Sequence, residues 1–450
     1  MNDTLDLVVL GAGNAGLAAA GKAREAGWRV AVVERRDVGG TCPLRGCVPK
    51  KVLVAAAETL EAIARAGEHG IRAPAATLDW SALMARKEGF VRGVPEEFEG
   101  SLARRGITLL RGAARFVGPD AVEVAGKTYT ARHFVVATGS EPRGLGVEGE
   151  DLTITSDEFL SLPTLPPRAV FVGGGVIAME FAHVLARAGS AVTVLELSPR
   201  VLPQFDAALV DDLVRVGASV GITHVTKAAT RSVTRGPSGL VVAAEVDGAS
   251  RSFEADVVVN AVGRVAALGG LNLQAAGITL DRGRPPVEAS MRSKENPRVW
   301  FAGDALPGTP QLSPVATWEG QAVGDNLLHE DAPRSLDYAA IPACVYTLPP
   351  LATVGETEDR ARARGLEVEL LDNDMTAWRS SRTYAERAAR ARVVVDRGTD
   401  RVVGASVLGH AAPEIIHVFA LAIAHGIPAS ALKAPVFAYP TFSADVRYLL

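Results

Sequence analysis

Two stretches of this chain carry the same plan, and few folds accommodate it. Residues 5–34 read LDLVVLGAGNAGLAAAGKAREAGWRVAVVE, and residues 169–196 read AVFVGGGVIAMEFAHVLARAGSAVTVLE. Each is an apolar strand, a glycine turn, a helix closed by a glycine (Gly27, Gly189) and a second strand ending in an acid. The first glycine and the terminal acid are 23 residues apart in both copies, Gly11 to Glu34 and Gly173 to Glu196. The first copy has Gly11, Gly13 and Gly16; the second has Gly173 and Gly175, with Ala178 in the third place. The first glycine allows a tight turn, the second lets a pyrophosphate approach the backbone, and the third lets helix pack on strand. The helix N-terminus offers free N–H groups and a positive dipole end to the phosphates. The terminal acid hydrogen-bonds a ribose diol. One glycine triplet is a weak signal, but two complete units imply two dinucleotide sites and two cofactors that exchange electrons.

The rest of the chain fits around these units. FVVATGS (134–140) and VWFAGDA (299–305) are apolar strands running into small-residue turns, where a cofactor approaches backbone closely. Asp304 falls at a strand's carboxyl end, the ligand edge of open parallel sheets; a helix cap or an Asx-turn is the alternative role. SFEADVVVNAVGR (252–264) reads as the last strand of the second unit. After EDAPRSLDY the pattern changes to short strands, ARVVVD and RVVGASVLG, then the helical APEIIHVFALAIAHGI. The expected fold class is α/β, with two Rossmann-like dinucleotide-binding domains and a C-terminal α+β domain over 336–450.

Two of the three cysteines, Cys42 and Cys47, lie in GGTCPLRGCVPKK, a few residues after the first unit. A metal site needs about four ligands, and there is no second CxxC and no nearby histidine, so no metal is expected. The net charge of −4 argues against nucleic acid as a partner. No apolar run approaches the roughly 20 residues of a membrane span, and no basic leader precedes the first strand, so no membrane partner and a cytoplasmic compartment are the expectation. A reducing cytosol disfavours a structural disulfide. Gly40 or Thr41 starts a helix whose dipole stabilises a thiolate, and Pro49 is expected to interrupt that helix one turn later. Beside a flavin, two such thiols form a disulfide that takes two electrons. Cys344, in IPACVYTLPP, reads as a small buried hydrophobe.

GGTCPLRGCVPKK resembles the active-site signature of the class I pyridine nucleotide–disulfide oxidoreductases, which include glutathione reductase, dihydrolipoamide dehydrogenase and mercuric reductase. ATGS, AVGR, FAGDA, SPVATWEGQAVGDNL and PLATVG extend the resemblance over essentially the whole chain. It implies an FAD-binding domain over 1–141 and 265–335, an NAD(P)-binding domain over 142–264 and an interface domain over 336–450 of a homodimer. It also implies that Cys47 faces the flavin, that Cys42 attacks the acceptor, and that Lys50 pairs with Glu180 near the flavin and nicotinamide. The implied cofactor contacts add Asn14, Ala15, Gly40, Thr41, Ala114, Thr138, Gly139 and Gly263 to the glycines, acids and Asp304 already named. Glu196 points to NADH, with NADPH possible if Arg200 reaches a 2′-phosphate.

Where the family usually has His-Pro-Thr with a Glu five residues after the His, this chain reads AYPTFSADVRYLL. Tyr439 replaces the histidine and Ala444 the glutamate; Asp445 is about 100° around a helix and a poor stand-in. A tyrosine of pKa about 10 mainly donates near neutrality, so the usual thiol base is absent. Tyr439 is expected to reach the active site across the dimer. Gly21, Lys22 and Gln321 stand where glutathione reductase has arginines, which argues against glutathione disulfide. The chain shows no carboxyl-terminal cysteine pair like that of mercuric reductase, and it has the complete Cys42–Cys47 pair that soluble transhydrogenases lack. Arg45, between the thiols, either lowers a thiolate pKa or meets an anionic substrate, with a solvent-facing role as the alternative. The expected activity is transfer of electrons from NAD(P)H through FAD and Cys42–Cys47 to a small disulfide or other acceptor. The alternatives are a metal-ion or quinone reductase and a low-turnover redox sensor.

Overall fold

The computed structural model describes residues 5–450; residues 1–4, part of the stretch examined for a leader, lie outside it. The chain divides into two compact units, one formed by the residues up to Lys50 with Lys87–Arg143 and Arg264–Tyr338, the other by Lys51–Arg86, Gly144–Gly263 and Ala339–Leu450. The three domains implied by the resemblance are a different division, in which residues 51–86 belong with the first domain; by contacts Lys51–Arg86 belong to the second unit. Among the described residues no helix is long and apolar enough to cross a membrane.

In the first unit, five strands lie side by side in parallel: Thr108–Arg111, Val30–Glu34, Leu5–Leu10, Lys127–Val136 and Val299–Phe301. The runs Leu7–Leu10, Val30–Val33, His133–Val136 and Val299–Phe301 are buried throughout, as a sheet covered on both faces requires, whereas the edge strand Thr108–Arg111 has no buried residue. The first half of Lys127–Val136 also pairs antiparallel with Ala121–Val124, which continues to Ala114–Gly118. Helices Asn14–Glu25 and Ser313–Leu328 pack so closely that a Cβ on Gly320 would lie 2.2 Å from the Ala15 carbonyl oxygen. Small residues set that spacing.

The second unit repeats the plan with four parallel strands in the order Ile222–Val225, Ala191–Leu195, Arg168–Val172, Val257–Asn260. Only Val257–Asn260 is the last strand of that unit. Ser252 to Ala255, read above as part of it, belong to Ala249–Ala255 in an antiparallel meander with Ala228–Gly236 and Gly239–Val246. The C-terminal region forms an antiparallel sheet in the order Ala343–Val345, Leu351–Gly355, Arg401–Leu408, Arg390–Asp396, Val368–Asp374, backed by helix Ala412–His425. Cys344 sits in its edge strand and is half-buried rather than enclosed.

This unit also encloses two imidazoles. The His183 ring is fully buried and its Nδ1 accepts the Leu348 N–H at 3.2 Å. Among the described residues neither His183 Nε2 nor His224 Nε2 has a hydrogen-bond partner, and both rings border Gly217. Burial holds both groups neutral: His183 well below the usual range and His224 down to about 4. The unfolded chain takes up protons near pH 6.5 while the folded chain does not until lower pH. The histidines therefore destabilise the fold progressively as pH falls from about 6.5 towards 4. Burial raises the carboxyls of Glu386 (to about 7), Asp304 and Glu319, which act in the opposite direction. Comparison with a His224→Leu variant isolates the imidazole contribution. Between pH 7 and 4.5 the wild type is expected to lose about 1–3 kcal/mol more unfolding free energy in urea than the variant. Parallel pH profiles would show that His224 protonates without cost.

Candidate dinucleotide and dithiol site

In the first unit the glycine turn, the cysteine segment and two later segments converge. Gly11 has φ +109°, and a Cβ there would lie 2.3 Å from the Ala137 carbonyl oxygen, so the turn admits only glycine. Gly13 caps helix Asn14–Glu25 without a side-chain hydrogen bond, leaving the helix-start N–H groups directed outward. The Gly39 N–H donates to Ala12 O at 2.9 Å. Gly40 (φ +75°) lies so near Gly13 that a Cβ would come within 2.7 Å of the Gly13 Cα. Asn14 Nδ2 donates to Ser313 O at 3.4 Å, and Gly303 faces Ala15. The Glu34 carboxylate accepts from the N–H groups of Ala12 (2.9 Å) and Arg36 (2.8 Å), which fixes it at the end of the strand.

Asp304 lies in the short helical turn Gly303–Ala305, where Ala302 rather than Asp304 is the cap. Its carboxylate accepts from Ser140 Oγ at 2.9 Å, and that hydroxyl in turn accepts from Arg264 Nε at 2.9 Å. Burial raises the carboxyl, opposed by the serine and the arginine charge. Glu319, fully buried, accepts from the Gly303 N–H at 2.7 Å and the Tyr338 hydroxyl at 2.8 Å, so it holds this turn in place. Thr138 Oγ1 is buried with no hydrogen-bond partner among the described residues, Gly139 follows at φ +71°, and Ala114 opens a strand. A glycine cradle with no room for a Cβ, open helix N–H groups, a fixed carboxylate at a strand end and an orphaned hydroxyl fit a dinucleotide such as FAD.

The cysteines flank a helix break. Gly40 caps the five-residue helix Thr41–Arg45, and Cys47 opens the long helix Cys47–Ala64. The interruption falls at Gly46 (φ −142°, ψ −116°) and not at Pro49, whose missing N–H costs nothing in a first turn. Cys42 is half-buried and Cys47 exposed, and neither is joined in a disulfide. Cys47 is pushed down to about 6, first by the hydrogen bond from Cys42, then by Ser313 and the Lys50 charge against the cost of burial. Cys42 is pushed up by donating that bond and by burial. The two shifts belong to one pair, in which a shared proton is favoured on Cys42 and thiolate character on Cys47. Ser313 Oγ lies 3.4 Å from Cys47 Sγ. Arg45 lies 3.8 Å from Asp37, and the basic residue that lowers Cys47 is Lys50.

The second unit holds a similar cradle. Gly173 has φ +102° and a Cβ there would meet the Ala261 carbonyl oxygen at 2.4 Å; Gly175 caps helix Val176–Ala188 without a side-chain bond; Gly263 has φ +105°. Glu196 accepts from the N–H groups of Gly174 (2.6 Å) and Ser198 (2.7 Å). Glu180 is buried and accepts the Tyr346 N–H at 2.8 Å. Tyr439 is exposed, and its hydroxyl accepts from Arg379 Nη1 at 2.9 Å. Ser313, Glu319, Arg264 and Arg379 escaped the sequence reading. Ser313 and Glu319 lay in one recognised motif, SPVATWEGQ, and Arg264 in another, AVGR, but nothing in either signalled the contacts with Cys47, Gly303 or Ser140.

Residues 5–320 match the pyridine nucleotide-disulphide oxidoreductase family and residues 341–449 match its dimerisation domain. The dihydrolipoyl dehydrogenase of Bacillus subtilis (strain 168) is 30% identical over 435 residues, 93% of this chain and 91% of that one. The glutathione reductase of Burkholderia cepacia is 32% identical over 441 residues, 98% and 97% of the two chains. The structure of the Cu(II) complex of the HOCl-induced flavoprotein disulfide reductase RclA from Escherichia coli superposes with a TM-score of 0.88 at 27% identity, covering 99% of each chain. The chain belongs to the pyridine nucleotide–disulphide oxidoreductase family. It is thus a flavin-dependent enzyme of this type, using FAD and NAD(P)H, with a dimerisation domain at its carboxyl end.

Proposed function

We propose that this enzyme reduces a small disulfide with electrons from NADH, through Cys42 and Cys47, as a homodimer in which Tyr439 approaches the partner subunit's thiols. The observation that carries this reading is the placement of the pair: Cys42 and Cys47 flank the helix break beside the Gly13–Gly40 contact, with Ser313 Oγ 3.4 Å from Cys47 Sγ. FAD, when bound, supplies the two-electron carrier between the nicotinamide and the cysteines. The Gly11–Gly16 turn, Gly40, Thr41, Thr138, Gly139, Ala114 and Asp304 would hold it, with Glu34 on a ribose. Gly173, Gly175, Gly263 and Glu196 would hold the nicotinamide dinucleotide. Lys50 and Glu180 would form the family's ion pair.

The thiol chemistry balances with the residues present. Cys42 attacks one sulfur of the acceptor, a Cys42–acceptor bond forms, the acceptor S–S bond breaks, and the first leaving thiolate takes the proton that Cys42 gives up. Cys47 then attacks Cys42, the Cys42–Cys47 bond forms, and the second acceptor thiolate leaves. Two electrons have passed to the acceptor. Steady NADH consumption with members of a disulfide panel supports this reading, and a single turnover with every disulfide contradicts it. RclA is described as a Cu(II) complex, so metal ions are the second acceptor class to include. Consumption with metal ions alone would favour that reading instead.

Glu196 carries the preference for NADH, because a carboxylate that binds a ribose diol repels a 2′-phosphate. Arg200, the residue that would compensate, donates to Pro203 O at 2.7 Å. The expected ratio of kcat/KM favours NADH over NADPH by about 1–3 kcal/mol. A stopped-flow preference for NADPH would overturn it.

A further inference from the structure

We infer that Arg379 positions Tyr439 as a hydrogen-bond donor to the acceptor and that the two together favour acceptors carrying negative charge beside the reacting sulfur. The inference rests on the proposal that Tyr439 stands against Cys42 of the partner subunit. Arg379 opens the short helix Arg379–Thr383, sixty residues before the tyrosine, and its Nη1 donates to the phenol oxygen at 2.9 Å. A phenol oxygen has one proton and two lone pairs. With a guanidinium N–H on one lone pair, the O–H is turned away from Arg379 and is free to donate outward. Tyr439 is 68% exposed, so that direction is accessible.

The charge arrangement defines the chemistry. The family's His–Glu pair places an anion behind a base. Here a cation stands behind a weak acid, and Ala444, where the glutamate would be, is a buried methyl. A cation behind the hydroxyl strengthens it as a donor and weakens it as a base. Such a pair gains nothing from taking the Cys42 proton. It stabilises a thiolate leaving group through a hydrogen bond, with no net proton transfer from the phenol, and its positive charge attracts carboxylates next to the disulfide.

The test uses full-length enzyme with Arg379→Ala, Arg379→Lys, Tyr439→Phe and the Arg379→Ala/Tyr439→Phe double variant. Each is reduced anaerobically with NADH, thiols at Cys42 and Cys47 are counted by alkylation, and reoxidation is followed with three disulfides. These are dithiobis(nitrobenzoate), which is anionic, hydroxyethyl disulfide, which is neutral, and cystamine, which is cationic. Arg379→Ala should slow reoxidation by the anionic disulfide about 10-fold, with smaller losses for the neutral one and least for the cationic one. Arg379→Lys should recover the preference for the anionic probe. With the neutral disulfide the double variant should react no more slowly than Tyr439→Phe, because the arginine acts there only through the tyrosine. Arg382→Ala, which removes the same charge from the same helix, should leave the order of the three acceptors unchanged. Equal losses for all three disulfides with no recovery by lysine, or losses that multiply in the double variant, would overturn the inference while leaving the thiol relay intact. Absence of two new thiols in the reduced wild type would overturn the relay and this inference together.

Discussion

Cys42→Ser and Cys47→Ser each lower disulfide turnover by about 10³-fold or more, because neither serine hydroxyl is a thiolate near neutral pH and the exchange needs both sulfurs. The two variants differ in what they leave behind. With serine at position 42, Cys47 has no disulfide partner and stays reduced even in oxidised enzyme; the serine hydroxyl can donate where the Cys42 thiol did, and Ser313 and Lys50 still favour the thiolate. Long-wavelength charge-transfer absorption is then expected without any reduction. With Cys47 removed, the Cys42 thiol loses the thiolate that it donates to, and that absorption is absent in every redox state. Flavin reduction by NADH proceeds in both, since neither thiol belongs to the nicotinamide cradle. Identical spectra for the two variants would show that the assignment of Cys47 as the flavin-facing thiol is wrong.

Gly320→Ala is expected to destabilise the first unit by about 3 kcal/mol and to lower its flavin content. The new methyl would lie 2.2 Å from the Ala15 carbonyl oxygen and 2.8 Å from the Ala15 Cα, both backbone atoms that no rotamer change moves away. Relief requires the helices Asn14–Glu25 and Ser313–Leu328 to separate, which displaces Ala15 from the cradle and Ser313 from Cys47. Gly89→Ala is the control in the same unit. Its methyl meets nothing within 4 Å inside helix Trp80–Val91, so it should stabilise by up to about 1 kcal/mol through helix propensity. Thermal melts with flavin quantitation read both changes. A Gly320→Ala protein that melts with the wild type and keeps its flavin would mean that the close approach does not hold the cradle together.

What the sequence made legible follows from which constraints are local. A glycine whose missing Cβ admits a backbone oxygen leaves its mark at its own position, so both cradles were readable from Gly11, Gly13, Gly173 and Gly175. The cysteine pair was readable because helix start and thiol lie within a few residues of each other. The break at Gly46 was misplaced to Pro49 because proline is a breaker within a helix and an acceptable residue in its first turn. The meander over Ala228–Gly236, Gly239–Val246 and Ala249–Ala255 went unread for a related reason. The outer strands Ala228–Gly236 and Ala249–Ala255 are half-exposed and carry polar residues, so they lack the apolar runs that marked the parallel strands and leave the apolar run of Gly239–Val246 without a legible partner. Long-range contacts left no local mark at all. Ser313 meets Cys47 from 266 positions away, and Arg379 meets Tyr439 from 60, each through a common surface-type residue. Glu319 is a charged residue in an ordinary amphipathic context, and only the fold shows that it is fully buried on the Gly303 N–H.

The central claim is that the cysteine pair stores the electrons that NADH delivers. Anaerobic titration of the FAD-loaded enzyme with NADH, with differential alkylation at each point, tests it most directly. The account predicts that the first two-electron equivalent produces two new thiols, mapping to Cys42 and Cys47 and not to Cys344, while the flavin remains oxidised. Only the second equivalent should bleach the flavin. Bleaching of the flavin by the first equivalent with no new thiol at either cysteine would contradict the account.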